Sequence, residues 1–181
     1  MSRVLVPLAT GCEELEAVTI IDLLRRAGLT VTVAGLGGVQ PFKASRGVWL
    51  LPEVALDDVL HESFDLLVLP GGQPGTNNLK ADERILNLVR KMAGQGRYVA
   101  ALCAAPSVLA AAGVLDGRRA TSFPGALDAY PQVQQQRAAV VEDGQFITSR
   151  GPGTAMDFAL TLIERLCGKP KRDEVEAGLQ R

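Results

Sequence analysis

Short apolar runs alternate with segments of helical period along most of this chain, and most runs end on a glycine, proline or cysteine turn. Arg3 to Ala9 reads as a first strand. Glu13 to Ala27 follows as a helix, with Leu15, Val18, Ile21, Leu24 and Ala27 near helical spacing and Gly28 as its stop. Thr30 to Leu36 reads as a second strand, Gly37 to Leu51 as a loop or small hairpin excursion, and Leu56 to Leu60 as a short helix. Asp65 to Leu69 reads as a third strand ending in Pro70-Gly71-Gly72. A helix over about Ala81 to Gly94 precedes a strand over Arg97 to Leu102, and Ala104 to Gly113 reads as a helix directly after it. Such alternation dictates an α/β fold, a parallel sheet with helices on both faces and a site outside the carboxyl ends of its strands. Gly11 to Glu16, Pro70 to Gly72 and Cys103 then share one edge of the sheet.

Beyond Gly117 the pattern loosens. Arg119 to Ser122 reads as a short strand, and Ala138 to Glu142 with Gln145 to Ser149 as a hairpin about Asp143-Gly144. Pro152 to Cys167 reads as a long helix capped by Gly168, and Lys169 to Arg181 as a terminal helix or a frayed end. With no repeat or linker, residues 1–181 are expected to form a single domain, which suits a chain of 181 residues.

The totals remove several functions. A formal net charge of -1 gives no electrostatic case for nucleic acid or an anionic membrane. No apolar run is long enough to span a bilayer, and no secretory leader opens the sequence, so a cytoplasmic location is the default expectation. Cys12, Cys103 and Cys167 form no disulfide framework and match no zinc spacing. Neither a metal nor a cofactor is expected. The single histidine, His61, precedes its strand and falls on the opposite sheet edge, and at roughly 3.3 Å per strand residue the two edges lie about 16 Å apart or more. A Cys–His dyad is therefore not expected.

Chemistry is expected at Cys103. A free cysteine by default packs as a small hydrophobe. This one sits at a sharp strand-to-helix turn walled by alanines, the geometry that exposes a nucleophile at a turn's tip. A helix start there favours thiolate over thiol. Glu13, Glu14 and Glu16 open the first helix. The helix dipole explains Glu13 and Glu14, whereas Glu16 falls between Leu15 and Val18, where partial burial beside a thiolate would raise its pKa and let it trade a proton with substrate. Gly71-Gly72 has backbone N–H groups that can aim at an oxyanion, although a simple turn is an equally natural reading. Cys12 is a loop thiol beside the site, with a resolving role for oxidised Cys103 as the other possibility. Gly151-Pro152-Gly153-Thr154 reads as a helix start.

These segments, together with Asp22-Leu23-Leu24-Arg25-Arg26-Ala27-Gly28, Ala44-Ser45-Arg46, Val68-Leu69-Pro70-Gly71-Gly72, Ala101-Leu102-Cys103-Ala104-Ala105-Pro106 and Thr148 to Thr154, resemble the ThiJ/PfpI superfamily. The resemblance covers nearly the whole chain and points to the Parkinson-disease deglycase branch and its bacterial YajL-like relatives. It implies a flavodoxin-like fold and a homodimer. It also implies Cys103 as an oxidation-prone nucleophile with Glu16 as its protonated partner, and oxyanion N–H groups at Gly72 and Ala104. Arg26 and Arg46 would be interface arginines near the pocket. Two departures matter. Thr121-Ser122-Phe123-Pro124 lacks the histidine of the Parkinson-disease branch, and Ala104 stands where the peptidase branch has a histidine.

The function so implied is attack of Cys103 on a reactive carbonyl such as methylglyoxal, as a glutathione-independent glyoxalase or a deglycase of glycated proteins. The alternative is a redox-sensing chaperone switched by Cys103 oxidation, which needs the same two residues.

Overall fold

The structure, a computed structural model, describes residues 1–181. Its elements in chain order are β1 (Arg3–Leu8), α1 (Glu14–Arg26), β2 (Thr30–Gly35), β3 (Phe42–Lys43), β4 (Trp49–Leu50), β5 (Val54–Ala55), α2 (Leu56–Val59), β6 (Leu66–Leu69), α3 (Gly75–Ala81), α4 (Glu83–Gly94), β7 (Tyr98–Leu102), α5 (Pro106–Ala111), β8 (Arg119–Ala120), β9 (Gln134–Gln135), β10 (Val140–Asp143), β11 (Phe146–Ser149), α6 (Ala155–Cys167) and α7 (Lys169–Gly178). A 3-10 turn over Pro152–Thr154 leads into α6.

The main sheet has the order β10-β11-β7-β6-β1-β2-β5. All neighbouring strands run parallel except β10, which pairs antiparallel with β11 through the expected Asp143-Gly144 hairpin. β6 and β7 are apolar and buried on both faces, as parallel strands covered by helices must be. Two apolar clusters fill the two sides. One joins Leu5, Leu67, Leu69, Ala101 and Val108 to α4 and α5, and the other joins Val4, Val6, Val68 and Leu102 to α1 and α6. The chain steps from β1 to β2 in one direction and reappears as β6 on the other side of β1. That reversal opens the crevice where α/β sheets place their ligands. No helix is long and apolar enough to cross a membrane.

Three local readings change. Of the stripe expected on α1, Leu24 and Ala27 are buried but Leu15 and Val18 face outward, and the helix buries Glu16, Ala17, Ile20 and Leu23 in their place. Both sets are helically spaced, so periodicity did not choose between them. α3 had no apolar period to announce it, since Gly-Thr-Asn-Asn opens it and Leu79 is its only large buried side chain. α5 is shorter than Ala104 to Gly113, because Cys103 to Ala105 are spent on the turn.

Candidate active site

Three strand ends interlock at the carboxyl edge. After β1, the N–H of Glu13 donates to Gly71 O at 2.8 Å, tying the first turn to the one after β6. Gly72 has φ +89, and a Cβ there would lie 2.3 Å from Glu13 N, so this position requires glycine. At Gly71 a Cβ would lie 2.6 Å from the Cβ of Cys103. Bare glycine backbone thus lets β6 and β7 end side by side with the thiol between them.

Cys103 follows β7. Its N–H donates to Ser149 O at 3.0 Å, and its carbonyl accepts the Phe123 N–H at 2.8 Å. Its φ of 64 is in the left-handed region, costly for a residue with a Cβ by about 1 kcal/mol or more. Such strain persists only where surrounding bonds hold it. The residue is 8% exposed and lines a cavity of about 340 Å³. Glu13, Gly72 and Ala104 also line it, as expected of a shared edge. Ser45, Gln73, Phe123 and Pro152 line it too. Three of those four lay inside or beside motif segments without a role, and Gln73 carried no signal beyond following Gly72.

Glu16 is fully buried in the first turn of α1. Its Oε2 accepts the Gly71 N–H at 2.8 Å, while Oε1 has no hydrogen-bond partner. Burial pushes its pKa up to about 7; the Gly71 N–H and the Cys103 thiol pull it down, and the charge of Glu13 adds to the rise. A buried carboxyl oxygen without a donor suits a protonated acid, which supplies a donor itself.

Burial also pushes the Cys103 thiol up to about 12, with the nearby negative charge of Glu16 adding to the rise and the N–H groups of Gly72 and Ala104 opposing it. The expected acidic thiol is therefore corrected. α5 begins only at Pro106 and runs six residues, too little to outweigh desolvation. The proton released near neutrality is therefore that of Glu16 and not that of the thiol.

The other expected residues fall as follows. The N–H of Gly71 is taken by Glu16, which leaves Gly72 and Ala104 as the N–H groups beside the sulfur. Arg46 lines the cavity and stands 3.9 Å from Glu13. Arg26 ends α1 about 15 Å along the axis from Glu16, at 1.5 Å per residue, where it pairs with Asp22 at 2.9 Å. Within the protomer it does not reach the cavity. Cys12 is wholly buried and does not line the cavity that holds Cys103. His61 is exposed between α2 and β6, at the opposite edge.

Glu13 and Glu14 do more than complement a dipole. Glu14 accepts the N–H of Arg46 at 2.9 Å and of Val48 at 3.3 Å, and the Ser45 hydroxyl donates to Glu13 at 2.9 Å and to Glu14 at 3.1 Å. These bonds hold the β3–β4 hairpin against the start of α1 and form one wall of the cavity.

The model of the DJ-1/PfpI family matches residues 2–165. Protein dj-1beta of Drosophila melanogaster is 46% identical over 179 residues, covering 97% of this chain and 95% of that protein. A crystal structure of Drosophila DJ-1beta superposes with a TM-score of 0.97 at 45% identity, covering 99% of this chain and 98% of that one. A Caenorhabditis elegans relative named glutathione-independent glyoxalase DJR-1.2 is 36% identical, covering 90% of this chain and 87% of that protein. Oxidised DJ-1 of Toxoplasma gondii superposes with a TM-score of 0.95 at 36% identity, covering 99% of this chain and 98% of that one.

Proposed function

The chain belongs to the DJ-1/PfpI family, and on that premise we propose that it is a cysteine-dependent enzyme of reactive carbonyls, a glutathione-independent glyoxalase whose chemistry extends to glycated proteins. The observation that carries this reading is Glu16, buried against Cys103 with its proton affinity raised to neutrality. A carboxyl held near the working pH both gives and takes a proton efficiently.

With methylglyoxal, the Cys103 sulfur attacks the aldehyde carbon while its proton passes to Glu16. The oxygen becomes an oxyanion beside the N–H groups of Gly72 and Ala104. Glu16 returns the proton to that oxygen, completing the hemithioacetal. The Glu16 carboxylate then removes the hydrogen from the former aldehyde carbon while the hydroxyl proton on that carbon moves to the ketone oxygen, and the resulting enediolate collapses to the thioester as Glu16 delivers its proton to the former ketone carbon. A thioester of lactate remains on Cys103, and water releases lactate and the thiol. The name of the Caenorhabditis elegans relative supports this reaction class.

A second reading has its own support, because the Toxoplasma gondii relative was solved oxidised. In it two peroxide molecules convert the Cys103 thiol to a sulfinate, releasing two waters, and protonated Glu16 hydrogen-bonds the product. The protein would then act as a redox-switched chaperone. Turnover of methylglyoxal without glutathione, lost in Cys103→Ser, supports the enzyme. Absent turnover, with client aggregation suppressed only by the oxidised protein, supports the switch.

We further propose a single domain, cytoplasmic, acting as a homodimer. Leu15 and Val18 on α1, with Val48, Trp49 and Leu51 on the adjoining hairpin, are large apolar side chains at least half exposed. Their elements are bonded together through Glu14. Large apolar side chains left exposed on elements bonded together in this way mark an interaction surface. Arg46, beside it, lies near the partner's pocket in this reading. A monomer in sedimentation at micromolar concentration would contradict the dimer.

A further inference from the structure

Next to the cavity that holds Cys103 lies a second hollow of about 590 Å³, larger than that cavity. Phe123 lines both. Gln135, Gln136, Arg137 and Arg150 line the second, and no carboxylate does. Every other arginine of the chain has an acidic side chain within 4.0 Å; Arg137 and Arg150 alone have none. Both unpaired guanidiniums face the same groove.

The fold sets this groove beside the thiol. The parallel register pairs Ser149 with Leu102, so the backbone of Arg150, just past β11, is level with that of Cys103, just past β7, at the main-chain spacing of about 5 Å. Arg137 follows β9, which is held on β8 by the Gln136 N–H donating to Ala120 O at 2.8 Å. The Arg150 guanidinium donates to Arg137 O at 3.3 Å and braces that segment. β8 in turn leads through Ser122 to Phe123, whose N–H is fixed on Cys103 O.

We propose that Arg137 and Arg150 form an anion subsite for the carboxylate or phosphate tail of a carbonyl substrate whose reacting end sits at Cys103. Guanidiniums match both oxyanion groups through paired N–H donors. Two cations in one groove without a counter-charge favour a ligand that supplies one. The carbonyl part of this assignment rests on the reading of the Cys103 pocket given above.

The test compares kcat/KM for methylglyoxal with that for an α-oxoaldehyde bearing a terminal carboxylate and for one bearing a terminal phosphate. Wild type should prefer at least one anionic substrate, and Arg137→Gln should lower that preference about tenfold, as loss of one charged hydrogen bond predicts. Arg150→Lys, which keeps the charge and loses the fork, should lower it less than Arg137→Gln does. The arm that falls further identifies the tail. No preference in wild type, or an unchanged preference in Arg137→Gln, overturns the proposal. Inorganic phosphate titrated into wild type, followed by amide shifts of Gln135 to Arg137 and Gly151, should saturate and should weaken in Arg137→Gln. Saturation without turnover of any aldehyde would leave the anion subsite standing and remove the carbonyl reading. Absence of saturation would overturn the subsite itself.

Discussion

Cys12 and Cys103 are two buried thiols beyond the carboxyl ends of parallel strands, and burial pushes both up to about 12. Their surroundings differ in access and in donors. Cys12 is sealed, 0% exposed, with the backbone of Gly75 so close that a Cβ there would lie 2.5 Å from Cys12 N. After desolvation, the charges of Glu14, Glu13 and Glu16 raise it further, and only its own backbone opposes them. Cys103 opens on a cavity, and the N–H groups of Gly72 and Ala104 oppose its rise. Equal proton affinity therefore does not mean equal chemistry. In the proposed mechanism, what separates the two is the cavity beside Cys103, a carboxyl that shares a proton, and N–H groups for the developing charge.

The largest expected effect breaks the pair apart directly. Cys103→Ser should cut aldehyde turnover by about a thousandfold or more, as removal of a nucleophile does. Cys12→Ala should stay within about threefold of wild type and cost about 1 kcal/mol of stability through lost packing. Steady-state kinetics and urea melts read both, and comparable losses in the two variants would refute the distinction.

Glu16→Gln should follow, with kcat lower by about 10²–10⁴-fold. It also alters the dependence of stability on pH. Glu16 is held near 7 in the fold against its ordinary 4.5, so the fold favours the protonated form. That contribution is complete below about 4.5 and is lost as pH rises through about 7. It amounts to about 3 kcal/mol at roughly 1.4 kcal/mol per unit. Denaturant unfolding of Glu16→Gln should lack this slope. A wild-type slope retained in the variant would show that Glu16 is not the titrating group.

Gly72→Ala sharpens the comparison by disturbing the wall the two thiols share. Forcing a Cβ at φ +89 against Glu13 N should cost about 1–3 kcal/mol. Gly113→Ala, also at positive φ but with nothing within 4 Å, should cost about 1 kcal/mol. Equal melting shifts would mean the close approach carries no energy. The smallest effect is expected at His61, where His61→Ala should leave turnover within about twofold, under about 0.5 kcal/mol on the barrier. A hundredfold loss in a folded variant would overturn the mechanism.

The alternation of strands and helices, the turn at Cys103 and the opposite edge for His61 were legible because they depend on local pattern and chain direction. The outward face of α1 was not. Leu15 and Val18 keep helical spacing as well as Ala17, Ile20 and Leu24 do, and only the sheet against which the helix lies decides which stripe is buried. Family resemblance grouped Arg26 with Arg46, while the length of α1 separates them within the protomer.

By itself the sequence determined the class of fold, the sheet edge that brings Cys103 near the first turn of α1, and Cys103 with Glu16 as the residues of the proposed site. Those follow from periodicity, turn residues and the direction of parallel strands. Tertiary structure decided the rest: that desolvation outweighs a short helix at the thiol, that Gly71 serves Glu16 rather than an oxyanion, and that Phe123, Gln73 and Ser45 close the pocket. It also brought Arg137 and Arg150 into one groove from segments that share no local pattern. Proton affinity and hydrogen-bond partnership depend on what packs across the fold, and that neighbourhood is set by long-range contacts that no window of sequence contains.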